Sequence, residues 1–219
     1  MTMRDILSPL NVGLVVLGLL LTAYGFAAVP PGTMLPVHWG FTGEADAFLP
    51  RDVALLLVAG IAMATIALLV GLQRLASEPR RQAARHAIAA TIPMLLILFV
   101  VIQGATILIG TGQAVDMVRI VVACVGLMFV VLGNVMPKTQ PNWIAGFRLP
   151  WTINDAANWH ATHRLGGLLM MIGGALTILA ALLTGQPGLL LALTLAAVFG
   201  PVIATIAYSY WLSRQTRHG

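Results

Sequence analysis

The chain contains six uninterrupted apolar stretches, each about as long as the 20 residues that an α-helix needs to cross a bilayer core. Arg119 is the only charged residue within them. Charged residues make up 9% of the chain, against about 25% in soluble domains, which is too few to cover a water-facing surface. We therefore predict an all-α membrane protein, a single domain over residues 1–219, with six transmembrane helices at 10–29, 53–72, 87–109, 118–136, 165–184 and 189–212.

Basic residues are distributed unevenly between the two sides that these six spans define. With the N-terminus inside, ten of the twelve lysines and arginines lie in inner segments, and only Arg51 and Arg119 lie in outer loops. An excess of basic residues marks the cytoplasmic side of a membrane protein. We therefore predict that both termini are cytoplasmic, and we attribute the basic residues to orientation and not to nucleic-acid binding. The ten inner residues are Arg4, Arg74, Arg80, Arg81, Arg85, Lys138, Arg148, Arg164, Arg214 and Arg217.

The predicted spans hold no Asp, Glu, Lys or His near the middle of the bilayer. Ionisable residues at that depth are the usual mark of ion pumps and proton-coupled carriers, so their absence counts against those classes. Small residues at a spacing of four, such as Gly166 and Gly174 around Met170 or Gly60 with Ala64, predict close contacts between helices.

The outer loop, residues 30–52, carries the string "MLPVHWGFTGEADAFLPRD". His38, Trp39, Glu44 and Asp46 lie close together in it, around Gly43. In the simplest interpretation Gly43 makes a turn, the two carboxylates are solvated and His38 bonds to a carbonyl. The alternatives are that the four residues contact a ligand such as a cationic peptide, or that the histidine and the carboxylates hold a metal ion.

The inner loop, residues 137–164, concentrates the polar chemistry of an otherwise apolar chain. Its segment "FRLPWTINDAANWHATHR" holds two of the five tryptophans and two of the five histidines. Three prolines and a glycine predict irregular chain in its first half, and the connection "RLASEPRRQAARH" on the same side looks like a plain turn. Thr152 followed by Asp155 approximates a capping box, which predicts a helix from Ile153 into the fifth span.

Residues of this predicted helix share faces by their spacing. His160 and His163 could form a metal pair, but a closed site needs three or four ligands, so we favour loop hydrogen bonds or phosphate contacts for them. We expect Arg148 or Arg164 to bind a polar group of the loop or a backbone carbonyl. The tryptophans of the loop are expected at the level of the lipid headgroups: Trp143, Trp151 and Trp159.

The string "GNVMPKTQPNWIAGFRLPWTINDAANWHATHRLGG", residues 133–167, resembles the signature of the SdpI family. The shared pattern runs Gly-Asn, Pro-Lys, a lone Asn, Gly-x-Arg-x-Pro-Trp-Thr, a Trp, and Thr-His-Arg followed by Gly, and it departs only in having Phe147 for the usual Ile. The outer loop is similar to a domain of unknown function that often precedes this signature. The residues that we assign to the inner site are Asn134, Lys138, Asn142, Arg148, Trp151, Asp155, Trp159, His163 and Arg164.

The resemblance implies a multi-pass protein of the bacterial cytoplasmic membrane, surrounded by lipids. The founding member of the family confers immunity to a secreted peptide toxin and holds a transcriptional repressor at the membrane. If these roles hold here, we expect toxin contact outside through His38, Trp39, Glu44 and Asp46, and contact with a cytoplasmic regulator inside. It implies no cofactor.

Two other functions stay open at the level of sequence. Three spans with a long first loop are followed by three more, which would be two halves of inverted topology, as in transporters of small solutes or lipids. An intramembrane enzyme built on His38 and Glu44 is the third. No Ser-His-Asp, Cys-His or phosphate-loop pattern is present, so we expect no catalysis.

Overall fold

Six long helices form the body of the protein in the computed structural model, which describes residues 7–215 apart from the side chains of Gln73 and Arg80. Each is long and apolar enough to cross a membrane, which confirms the six predicted spans. Arg4 and Arg217 of the charge count lie outside the described residues. The elements are α1 Pro9–Ala28, β1 Met34–Trp39, β2 Ala45–Pro50, α2 Arg51–Leu75, α3 Glu78–Gly110, α4 Met117–Val135, a 3-10 turn Met136–Lys138, α5 Pro150–Ile153, α6 Ala156–Leu183 and α7 Pro187–Gln215.

The segment between α2 and α3 is helical where the sequence suggested a turn. Helix α3 begins at Glu78, with Pro79 in its first turn, so most of "SEPRRQAARH" belongs to it. Proline suits the first helical positions, because the N–H that it lacks would have no intrahelical partner there. Glu78 also forms an ion pair with Arg81 one turn on. At about 1.5 Å per residue, α3 is longer than the roughly 30 Å core.

The outer loop folds into an antiparallel β-hairpin, so the structure is not purely helical. Strands β1 and β2 pair Met34 with Pro50 and Trp39 with Ala45, and the register shifts between Pro36 and Trp39 as in a β-bulge. Gly43, with φ +80°, makes the tip turn. The opposite end of the hairpin is anchored by apolar packing, because Leu35 is fully buried in a cluster with Val29, Ala54, Leu55 and Ile107.

Glycines allow the helices of the second half to approach closely. A Cβ atom at Gly126 of α4 would lie 2.7 Å from the carbonyl oxygen of Gly174 in α6, and one at Gly133 would lie 2.5 Å from that of Gly167. The predicted close packing along α6 is therefore confirmed. A Cβ atom added at Gly60 would have no neighbour within 4 Å, so the prediction of a close helix contact at Gly60 in α2 is wrong.

The two halves of the bundle pack differently. In the first half, the last helix, α3, makes the broadest contacts with the other two helices. In the second half, the middle helix, α6, lies between α4 and α7 and packs extensively against both. Equivalent positions in the two halves thus have different neighbours, and the packing gives no support to the interpretation as inverted repeats.

Candidate functional sites at the two ends of the bundle

The inner loop takes its shape from buried side chains that bond to the backbone. Asn142 is buried, and its Oδ1 accepts hydrogen bonds from the backbone N–H groups of Ile144 and Ala145, both at 2.8 Å. Its Nδ2 donates to the carbonyl of Gln140. An asparagine that bonds two and three residues ahead in this way fixes a turn. This member of the predicted inner site is therefore positioned to shape the loop.

The start of α6 differs from the prediction by three residues. Asp155 is the N-cap, because its Oδ1 accepts from the N–H groups of Ala157 and Asn158. Thr152 is fully buried in the short helix α5, where its hydroxyl accepts from Leu149 N–H at 3.0 Å and donates to the carbonyl of Phe147 at 2.7 Å. The prediction of a cap at Thr152 and a helix from Ile153 is wrong because other partners already use that hydroxyl.

His163 holds the loop against the first turns of α6. Its Nε2 accepts from the N–H of Phe147 at 3.0 Å, so the proton lies on Nδ1, which donates to the carbonyl of Trp159 at 2.8 Å. The ring is fully buried and packs beside Gly146, whose φ is +108°. Both ring nitrogens have partners within the protein, so the interpretation of His160 and His163 as a metal pair is wrong.

Trp159 is a core residue and not a headgroup anchor. It is fully buried, its ring stacks on His163 with centroids 3.9 Å apart, and its Nε1 donates to the carbonyl of Thr139. The expectation of a headgroup position is therefore wrong for Trp159. Trp143 is 62% exposed, as an interfacial tryptophan would be.

A buried polar network joins the inner loop to α7. Asn158 donates through Nδ2 to the carbonyl of Ser209, and its Oδ1 accepts from the hydroxyls of Ser209 and Thr162, each at 2.9 Å. The indole N–H of Trp151 donates to the hydroxyl oxygen of Ser209 at 3.0 Å. Sequence reasoning missed Ser209, although a small polar residue within the apolar seventh helix is the signal that could have found it.

The remaining residues of the inner motif face outward from the protein. Asn134, Lys138 and Arg164 are exposed. Arg148 is exposed as well, and its guanidinium donates to the carbonyl of Trp143 at 2.7 Å. The expectation that one motif arginine binds a backbone carbonyl is thus confirmed for Arg148. The structure divides the motif into a buried set that builds the loop and an exposed, mainly basic set that is free to contact other molecules.

The predicted outer site is brought together only in part. His38 Nδ1 and Asp46 Oδ1 lie 2.5 Å apart across the hairpin, and both side chains are more than half exposed. Glu44 is exposed, and only its backbone carbonyl, which accepts from Gly40 N–H, takes part in the turn. Within residues 7–215, no three His, Cys, Asp or Glu side chains gather closely enough to hold a metal ion.

A cleft of about 360 Å³ lies between the hairpin and the outer ends of α4 and α7. His38, Trp39 and Asp46 line its polar side, and Val118 and Leu190 are among the residues of its apolar floor. Gly43 touches the helix opposite, because a Cβ atom there would lie 2.9 Å from Pro187 Cγ. The hairpin of the first half therefore covers a cleft on the second half, at a volume typical of small ligand sites.

The two outer arginines are both committed to helix ends. Arg51 donates to the carbonyls of Phe26 and Val29, at the end of α1. Arg119 donates to the carbonyls of Ala181 and Leu182, at the end of α6, at 2.7 and 2.9 Å. A cation at the C-terminus of a helix satisfies unpaired carbonyls and the negative end of the helix dipole. Sequence reasoning did not find these roles.

The fold and the two sites define a polytopic helical membrane protein with a covered cleft at one end of the bundle and a structured loop at the other. Comparison with known proteins specifies this class. Residues 138–209 match the model of the SdpI/YfhL protein family, which confirms the predicted resemblance to the SdpI family over this part of the chain. The match does not extend to the hairpin, so the resemblance of the outer loop stays a prediction.

The chain is similar to the immunity protein SdpI of Bacillus subtilis (strain 168), with 30% identity over 118 residues. This alignment covers 53% of the present chain and 56% of that protein, so the chain matches about half the length of its relative. No solved structure matches the chain. Together with the six apolar helices, the family match identifies a multi-pass protein of the cell membrane.

Proposed function

We propose that this protein is a membrane immunity protein that binds a secreted, cationic peptide toxin in its outer cleft. The observation that carries the proposal is the cleft itself, which combines the Asp46 carboxylate with an apolar floor in a chain similar to an immunity protein. A peptide that attacks membranes is apolar and commonly basic, and the cleft offers one partner for each property.

The charges of the hairpin support the attraction of a cation. The hairpin carries the carboxylates of Glu44 and Asp46. The start of α2 adds Asp52 and one arginine, Arg51, whose guanidinium bonds to Asp52 and to carbonyls of α1. A surplus of carboxylates attracts a cationic peptide over a Debye length of about 8 to 10 Å.

The second part of the proposal is that the inner loop contacts a cytoplasmic regulator and signals to it that toxin is bound outside. Its exposed residues include Lys138, Arg148 and Arg164, together with Trp143, and protein interfaces are enriched in tryptophan and arginine. The only carboxylate of the loop, Asp155, caps α6. An acidic surface on a regulator would therefore meet basic side chains that the protein leaves exposed.

We propose a binding role without catalysis. Among the described residues, neither His38 nor His163 has a hydroxyl or thiol as a hydrogen-bond partner, as an activated nucleophile would require.

The proposal requires the hairpin outside the cell and the inner loop inside. Single cysteines at Glu44 and Lys138, both exposed, would be introduced after Cys124→Ala. A membrane-impermeant maleimide should label position 44 in intact cells, and position 138 only after the membrane is opened. The reverse pattern would refute the orientation and, with it, the proposed division between toxin and regulator.

Survival of a sensitive bacterium that expresses the protein tests the binding site. Cells would be challenged with a panel of secreted cationic peptides, and the membrane content of each variant would be measured by immunoblot. Asp46→Asn should abolish protection, because it removes the carboxylate that lines the cleft. Asp52→Asn is the matched control, because it removes the same charge from the first turn of α2, which is on the same side of the bundle but outside the cleft lining. Equal protection by the two variants, or no protection by the native chain, would refute the proposal.

A further inference from the structure

A long apolar groove runs between α6 and α7 on their outer halves. Its volume is about 800 Å³. Leu176 and Leu193 form opposite walls and are 54% and 42% exposed, so the groove opens away from the bundle. From Leu169 to Leu183 it extends along α6 for about 21 Å, which is most of the roughly 30 Å hydrocarbon core.

The floor of the groove is made of small residues. Gly173 contacts the backbone of Ala197, so that the two helices touch there, and Ala180 and Ala196 continue the lining. Small side chains let the backbone of another helix approach closely. The backbone of a helix can therefore lie close to this floor.

The groove lies next to the outer cleft, with one smaller cavity between them. Thr184, Gly185 and Gln186 line its outer end, and the same three residues line a smaller cavity of about 140 Å³. That cavity in turn shares Trp39 and Gly43 with the cleft that contains Asp46. The groove, this cavity and the cleft therefore follow one another around the connection between α6 and α7 and past the contact of Gly43 with Pro187.

We propose that the groove holds an apolar helical segment of the peptide whose basic residue binds Asp46. This inference rests on the proposed function and specifies the ligand as an amphipathic peptide with a basic end and a membrane-inserted helix. A peptide segment at that depth must be helical, because no water is available for its backbone. An apolar helix in a groove between two helices is a common mode of peptide recognition.

The direct test is fluorescence quenching with the full chain in nanodiscs of zwitterionic phosphatidylcholine. The probe is a synthetic peptide with several lysines before a leucine–alanine helix of about 14 residues, which matches the groove length, and one tryptophan as quencher. In a Cys124→Ala background, a bimane label at position 193 reports on the groove. A label at Leu68, which is 62% exposed on α2, is the control.

Saturable quenching at position 193 and not at 68 is the expected result. Asp46→Asn should raise the half-saturating peptide concentration about tenfold, as the loss of one charge-assisted hydrogen bond would. Equal quenching at both positions would mean that the peptide only partitions into lipid, and no quenching would mean that the groove takes no such helix. Disulfide cross-linking between two copies through position 193 would show that a second copy fills the groove. Each of these three results would overturn the inference.

Survival assays separate this inference from the proposed function. Ala196→Trp fills the groove, whereas Ala192→Trp places the same ring on an exposed position of α7 outside the groove lining. Loss of protection by the first variant alone supports the groove. If Asp46→Asn loses protection and Ala196→Trp keeps it, the outer cleft stands and the groove is wrong. If all three variants protect as well as the native chain, the proposed function is wrong.

Discussion

Replacing Gly146 with alanine tests how tightly the inner loop is fitted to α6. Gly146 has φ +108°, a conformation that L-residues with a side chain rarely adopt. A Cβ atom there would also overlap the ring of His163 at Nε2. That ring cannot simply turn aside, because it is buried and is hydrogen-bonded through both nitrogens.

The expected loss has two parts, and a matched glycine separates them. Positive φ at a residue with a Cβ costs about 1–2 kcal/mol, and this cost also applies to Gly112→Ala, where φ is +87° and no atom lies near the Cβ position. Displacing the His163 ring additionally leaves buried polar groups without partners, at about 1–3 kcal/mol. For a chain of this size 1 kcal/mol corresponds to roughly 2–4 °C in Tm, so Gly146→Ala should melt about 5 °C below Gly112→Ala.

Both variants would be heated in detergent, and the fraction that stays monodisperse would be followed by fluorescence-detected size exclusion. Adding His163→Ala to Gly146→Ala removes the ring with which the new methyl group collides. The double variant should therefore lose less stability than the sum of the two single variants, as expected for residues in contact. Equal Tm values for Gly146→Ala and Gly112→Ala, or strict additivity with His163→Ala, would show that the loop is not held through this contact.

Two further substitutions test the polar network and the arginine at the outer end of α6. Asn158→Leu should lower the Tm by several degrees, because about 1–3 kcal/mol is lost when Ser209 and its neighbours lose buried partners, whereas the exposed Asn154→Leu should change it little. Arg119→Gln should weaken the outer end of α6 by about 1–2 kcal/mol, visible as faster amide hydrogen exchange in its last turn, whereas Arg164→Gln, exposed at the other end of the same helix, should leave that exchange unchanged. Equal effects within either pair would contradict the assigned contacts.

The six spans could be predicted because a bilayer admits few alternatives. A stretch such as 189–212 must satisfy its backbone internally, and helices achieve this within one segment. The hairpin lies outside that constraint. Strand β1, "MLPVHW", contains a proline and does not alternate between polar and apolar residues. Its exposed first position is an apolar residue, Met34, and its buried neighbour Leu35, which packs on the helix ends, is apolar too. A loop of this length without structure should itself have argued for a folded element.

The start of α6 and the position of Trp159 show what local sequence leaves undecided. Thr152 and Asp155 both suit an N-cap, and the choice falls to Asp155 because the threonine hydroxyl is used by the carbonyl of Phe147. A tryptophan side chain is stable at a lipid interface, and it is also stable in a core that offers a carbonyl to accept its indole N–H. The carbonyl in this case belongs to Thr139, which lies 20 residues earlier. Neither outcome follows from spacing along a single helix.

The charge asymmetry of the protein gains a structural explanation from its two exceptions. Arg51 and Arg119 are the basic residues that the positive-inside count assigns to the outer side, and each lies at the C-terminal end of a helix, bonded to its last carbonyls. The partial negative charge of those carbonyls, about half an elementary charge per helix, offsets part of each guanidinium charge. Glu44 and Asp46 of the hairpin are not bonded to either arginine. For the cationic peptide that we propose as the ligand, Asp46 would be accessible at the cleft, and the nearest arginines would be turned towards helix ends.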